Sequence, residues 1–247
     1  MKKLLLLAFI TMATAAAQAQ GFKDLVKKVK DSSNKSGIGQ VFPSSGKALS
    51  NDDVVAGLKE ALSVGTNNAA QKLSLTDGFF KDAVIKILMP QEAQKVEKTL
   101  RNMGMGRQVD KAILSMNRAA EDAAKSAAPI FVDAIKGMSF QDAMGILKGG
   151  DEAATGYLKG KTTVSLTEAF RPVIEQSLQK VDATQHWNTV FTAYNKISTE
   201  KVNTDLSAYV TEKALTGIFY QLAQEEKNIR KNPMARTTDI LKKVFGN

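Results

Sequence analysis

The stretch DLSAYVTEKALTGIFYQLAQEEKNIR, Asp205 to Arg230, decides the fold class. Its apolar residues Leu206, Tyr209, Val210, Leu215, Ile218, Phe219 and Leu222 recur at the three- and four-residue spacing of an amphipathic helix, and Pro233 ends it. The same period runs through most of the chain before it. Val54, Val55, Leu58, Leu62 and Leu73 mark a helix to about Lys72, and Phe79 to Leu88 continues the pattern before Pro90. Gln91 to Met103 follows, with Val96 and Leu100 inward. Val109, Ile113, Met116 and Ala120 carry an Ala-rich helix that Pro129 kinks or restarts, after which Ile130, Phe131, Ala134, Ile135 and Met138 resume the stripe.

Ser139 with Asp142 reads as a cap opening a helix from Phe140 to Lys148, which Gly149 and Gly150 close. A short helix over Asp151 to Leu158, one over Val164 to Val181 with Pro172 inside, one over Trp187 to Ile197 and a last one over Thr238 to Phe245 complete the set. No apolar/polar alternation of strand length occurs, and no hairpin signal separates two β-branched runs. The sequence therefore predicts an all-α, compact multi-helix domain of roughly ten helices.

Lys2 and Lys3 precede an apolar run, Leu4 to Ala17, that is too short to cross a bilayer, and Ala17-Gln18-Ala19 offers a signal-peptidase site. Residues 1–19 are thus expected to be a cleaved secretory signal, exporting the chain to the periplasm or beyond as a soluble or peripherally membrane-associated protein. In the next segment, 20–48, Phe22, Leu25, Val26 and Val29 share one helical face, ringed by Lys23, Lys27, Lys28 and Lys30, and a Ser/Asn/Gly-rich linker follows. The main domain is expected over 49–247.

The 247 residues carry a formal charge of +9 and no cysteine, which excludes disulfides, thiolate metal sites and a cysteine nucleophile. A basic chain favours anionic surfaces. Nucleic acid is not the expected partner, because no zinc-finger spacing, ribonucleoprotein motif or dense Lys/Arg tract is present. The basic arm suits weak association with an anionic membrane surface.

His186 is the single histidine, so neither a multi-histidine metal site nor a familiar triad can be assembled. No P-loop, GxGxxG, Gly-x-Ser-x-Gly or His-Glu-x-x-His motif occurs. No catalytic residue, metal or cofactor is assigned. The acidic neighbours Asp52/Asp53, Asp151/Glu152 and Glu225/Glu226 point to different helix faces and need partners from elsewhere to act as acid/base pairs. The candidate polar cluster comprises Asp151, Glu152, Thr155 and Tyr157 after the glycine pair, with Glu225, Glu226, Arg230 and Arg236 around the Pro233 break. Asp151 and Glu152 are expected to satisfy the dipole of their own helix. Glu226 and Arg230, at i and i+4, read either as a surface pair or as a partly buried network that fixes the turn or lines a cleft.

The tracts DAMGILKGGDEAATGY (Asp142–Tyr157), KALTGIF (Lys213–Phe219) and EEKNIRKNP (Glu225–Pro233) resemble an uncharacterised bacterial family, the domain of unknown function numbered 4197, over about Leu49 to Gly246. The resemblance implies an exported, helical, cysteine-poor chain and brings no mechanism. The expected function is a non-enzymatic binding or interaction module of the cell envelope. The alternatives are an enzyme with a carboxylate/arginine site, or a carrier of an apolar ligand between helices.

Overall fold

A computed structural model describes residues 50–180, 183–197, 201, 205–232 and 242. Met1–Ser50 form a separate unit in which only Ser50 is described. The expected secretory signal, the arm from Phe22 to Lys30, Arg236 and the helix expected over Thr238 to Phe245 lie outside the described residues. Among these the secondary structure is entirely helical: eight α-helices and one 3-10 turn.

Helix α1 (Asn51–Ser74) opens with Asp52 and Asp53 at its positive end and closes with Lys72, the charge order the helix dipole favours. After an irregular segment, a 3-10 turn (Gln91–Ala93) leads into α2 (Gln94–Asn102). Then come α3 (Gly106–Ala124), α4 (Ala127–Lys136), α5 (Phe140–Lys148), α6 (Ala153–Gln179), α7 (Ala183–Ile197) and α8 (Leu206–Lys231). Helix α8 packs against α1, α3 and α6, while α6 also touches α4, α5 and α7. The two longest helices therefore form the spine. Phe131 of α4 meets Phe219 of α8 edge to face, with centroids 6.1 Å apart, and Ala119, Ala120, Ala123 and Ala124 are fully buried, so α3 approaches its neighbours closely.

The all-α reading holds, with fewer separate helices among the described residues than expected there. In place of the two helices expected over Asp151 to Leu158 and Val164 to Val181 there is the single 27-residue α6, Ala153–Gln179. Leu158, Thr162, Leu166, Phe170, Ile174 and Leu178 are all buried along it, and that continuous stripe outweighs the cost of about 1 kcal/mol for each interior glycine. Pro129 restarts a helix: α3 ends at Ala124 and α4 begins at Ala127, placing the proline in a first turn where its missing N–H costs nothing.

Phe79 to Leu88 is a series of turns and irregular backbone, not the expected helix. Asp77 adopts a left-handed conformation at φ 72°, and a Cβ at Gly78 would stand 2.6 Å from the Leu73 carbonyl oxygen. The segment's amides then find partners on α3. Buried Glu121 accepts from the Phe79 and Phe80 amides at 3.1 and 3.2 Å. Asn117 accepts from the Ile87 amide at 2.9 Å and donates to the Ile87 carbonyl at 2.8 Å. Side-chain amide and carboxylate thus replace the ladder a helix would have supplied.

Candidate functional site

The last turns of α8 meet the junction between α5 and α6, and most of the predicted polar residues gather there. Gly149 ends α5 with extended backbone, φ −78° and ψ 172°. A Cβ on it would lie 2.5 Å from that of Ala153, so only glycine lets the chain reverse so tightly into α6. The first amides of α6 then point at α8.

Glu226 receives them. Its Oε1 accepts from the Ala154 amide at 3.0 Å, and its Oε2 accepts from the Thr155 amide and the Thr155 hydroxyl, both at 2.8 Å. Arg230, one turn further along α8, donates from Nε and a terminal nitrogen to Oε1 at 2.9 and 2.7 Å. The same terminal nitrogen donates to the Ile146 carbonyl oxygen in the last turn of α5 at 2.9 Å. The Glu226 side chain is 5% exposed and that of Arg230 14%.

This geometry corrects one expectation and decides between the two readings of the Glu226–Arg230 pair. Asp151 and Glu152 do not satisfy the helix start: Glu152 stands at the N-cap position of α6 and makes no capping hydrogen bond. The capping carboxylate comes from α8, because the tight turn at Gly149 aims the amides at that helix. Glu226 and Arg230 are not a surface pair either. They are sandwiched between one helix's positive end and another's negative end, with carboxylate and guanidinium each facing the pole of opposite sign.

Asp151 and Glu152 form an outer ring instead. Glu152 accepts from Lys227 at 2.6 Å, and Asp151 pairs with Lys231. The Lys231 ammonium holds the Asp151 carboxyl below its usual range, and the Glu152 carboxylate raises the Lys227 ammonium above its own. Tyr157 and Glu225 are not drawn in. Tyr157 sits half-buried near Asp142, and burial above all pushes its phenol up. Glu225 faces α1, accepting from Gln221 at 3.1 Å, while Gln221 accepts from Lys72 at 2.9 Å.

A mostly apolar pit of about 20 Å³ lies beside the clamp, lined by residues that include Leu58, Ala61, Gly65, Leu222 and Ile229. Small-molecule pockets run to roughly 300–1,000 Å³, so this interhelical space is too small for an apolar cargo. Among the described residues, no group of three or more His, Cys, Asp or Glu is placed to hold a metal ion, and no helix is long and apolar enough to cross a membrane.

A second polar set, Asp77, Asn117, Arg118 and Glu121, escaped the sequence reading. Arg118 links the Glu121 carboxylate at 2.6 Å to Asp77 at 2.7 Å, and Asp77, held chiefly by Lys81 and then by Arg118, sits below the usual carboxylate range. The signal was present: Val109, Ile113, Asn117 and Glu121 follow one another at intervals of four on the buried stripe of α3. Polar residues in such a stripe mark backbone that needs partners.

The clamp lies within the most distinctive tracts of the sequence. A family described as a protein of unknown function, DUF4197, matches residues 48–246. The chain belongs to the DUF4197 family. Neither a curated protein nor a solved structure matches it. In this DUF4197 chain both halves of the clamp, the turn from α5 into α6 and the end of α8, fall inside the matched region.

Proposed function

We propose that this DUF4197 chain is an exported, non-enzymatic binding module of the cell envelope. The observation that carries the reading is the saturation of the Glu226 carboxylate, which accepts two helix amides, a hydroxyl and a two-pronged guanidinium while almost fully buried. A carboxylate so engaged orients helices; it is not held ready to pass a proton to a substrate. Removal of residues 1–19 takes Lys2 and Lys3 from the full chain's +9 and leaves a formal charge of +7, which still favours an anionic partner surface. The arm from Phe22 to Lys30 supplies the contact, each lysine near an anionic membrane adding about 1 kcal/mol.

Sedimentation with phosphatidylglycerol vesicles tests this reading, using protein recovered after export and sequenced from its N-terminus. Expected are a start at Gln20, binding at low salt that fades as salt rises, and loss of binding on deletion of 20–48. A start at Met1, no binding at low salt, or binding indifferent to the deletion overturns it. Turnover of any substrate that a folded Glu226→Gln variant abolishes does so as well.

A further inference from the structure

Away from the clamp, α6, α7 and the start of α8 enclose an open groove of about 470 Å³. Its size falls within the roughly 300–1,000 Å³ of small-molecule sites, but such sites are mostly apolar and this one is not. Arg171 and Glu175 stand one turn apart on α6, Thr184, Asn188 and Thr192 follow at intervals of four on α7, and Asp205 closes the far side. Among the described residues, the buried Thr184 Oγ1 has no hydrogen-bond partner.

Charge narrows the ligand class. Arg171 donates to Asp205 Oδ2 at 2.6 Å, so these two charges largely cancel, and Asp205 Oδ1 is engaged by the Ala208 amide at 2.9 Å. A bound anion would have to compete with Asp205 for Arg171 and face Glu175. What remains is a mixed wall of donors and acceptors: guanidinium edge, side-chain amide, two carboxylates and hydroxyls. A polyhydroxylated molecule matches such a wall, because every hydroxyl donates and accepts at once. An apolar ligand would strip these groups of water without replacing it.

We infer that the groove between α6, α7 and α8 is a binding site for a short, uncharged saccharide. The inference rests on the binding-module reading and gives that module a ligand class. Export would place the groove where glycans occur both free and as wall polymer.

The test is saturation-transfer NMR on the exported, purified chain with glucose, N-acetylglucosamine and the β-1,4-linked trimer of each, alongside sedimentation with insoluble peptidoglycan. Expected is transfer to saccharide protons that glycine and inorganic phosphate do not compete away. Asn188→Ala and Glu175→Ala, each removing a polar side chain from the wall, should weaken binding about tenfold. Thr184→Val should raise the Tm of the free protein and diminish the Tm rise that saccharide produces. Sedimentation lost in Asn188→Ala assigns wall glycan; transfer to soluble sugars alone assigns free saccharide.

No transfer at millimolar saccharide, or binding unchanged in Asn188→Ala and Glu175→Ala, overturns the inference. Competition by glycine or phosphate overturns the ligand class. Vesicle binding that survives such a failure leaves the binding-module reading standing, whereas new reducing ends appearing from the trimers would sink that reading and keep the groove.

Discussion

Glu226 and Thr155 stand 71 positions apart in the chain, yet the carboxylate of one accepts both the amide and the hydroxyl of the other at 2.8 Å. A helix start normally finds its cap in the residue just before it. Here the cap is tertiary, so the first turn of α6 and the last turns of α8 depend on one another.

Removing either half of the clamp should therefore cost more than a surface pair. Arg230→Ala leaves a buried carboxylate with one partner fewer, and Glu226→Ala takes the carboxylate away from a partly buried guanidinium and from two helix amides; each should destabilise the fold by about 3–5 kcal/mol. The double variant should cost clearly less than the sum, because the two residues share one network. Urea unfolding of all three variants provides the measurement, and near-neutral single variants would show that the clamp is not structural.

Two glycines should respond in opposite directions to the same substitution. A Cβ on Gly217 would stand 2.4 Å from Cε1 of the fully buried Phe79 ring, whereas one on Gly65 would meet nothing closer than Ile229 Cδ1 at 3.5 Å. Gly217→Ala should lose about 1–3 kcal/mol to overpacking. Gly65→Ala should gain up to about 1 kcal/mol of helix propensity while filling part of the pit. Thermal melts of the two variants decide the matter.

Asn117 holds the irregular segment before Pro90 onto α3 through both polar groups of Ile87. Asn117→Ala strands that buried amide and carbonyl, each at a cost of about 1–3 kcal/mol. Hydrogen exchange should show Ile87 losing protection first, and the core of α8 least affected. Uniform loss across all helices would mean that the segment and the bundle open as one.

Alkaline pH offers a separate probe. The Tyr209 hydroxyl donates to the Leu88 carbonyl at 2.8 Å, and burial pushes its phenol up to about 12. The unfolded phenol ionises near 10, so between those values the unfolded chain sheds a proton that the folded chain keeps. The contribution of Tyr209 is full below about pH 10 and declines as pH rises towards about 12. Tyr209→Phe should lower stability modestly at neutral pH and narrow the gap to the parent protein across this window; parallel stability curves in the two proteins would refute it.

Much of this was legible in the linear chain. The spacing of Leu206, Val210, Ile218 and Leu222 sufficed for α8, because each becomes buried in one stripe. The Ser139–Asp142 capping box forms as its spacing implies, with the Ser139 hydroxyl and amide both engaging Asp142. Local signals of this kind are complete within four residues. The candidate cluster was legible only as a set of names: Thr155, Glu226 and Arg230 were among them, but nothing near them in sequence said which groups would meet.

By itself, then, the sequence determined the helical class, the starts and stops that depend on local caps and prolines, and the names of several polar residues that meet near Gly149. Tertiary structure alone decided that α6 runs unbroken through Gly156 and Gly160, that the segment around Phe79 is not helical, and that Glu226 is a cap. The reason is the range of the forces involved. Capping and periodicity act over a turn of helix, whereas burial of a stripe and satisfaction of a stranded amide depend on which distant surface arrives. A marginal local preference of about 1 kcal/mol per residue yields to those whenever they conflict.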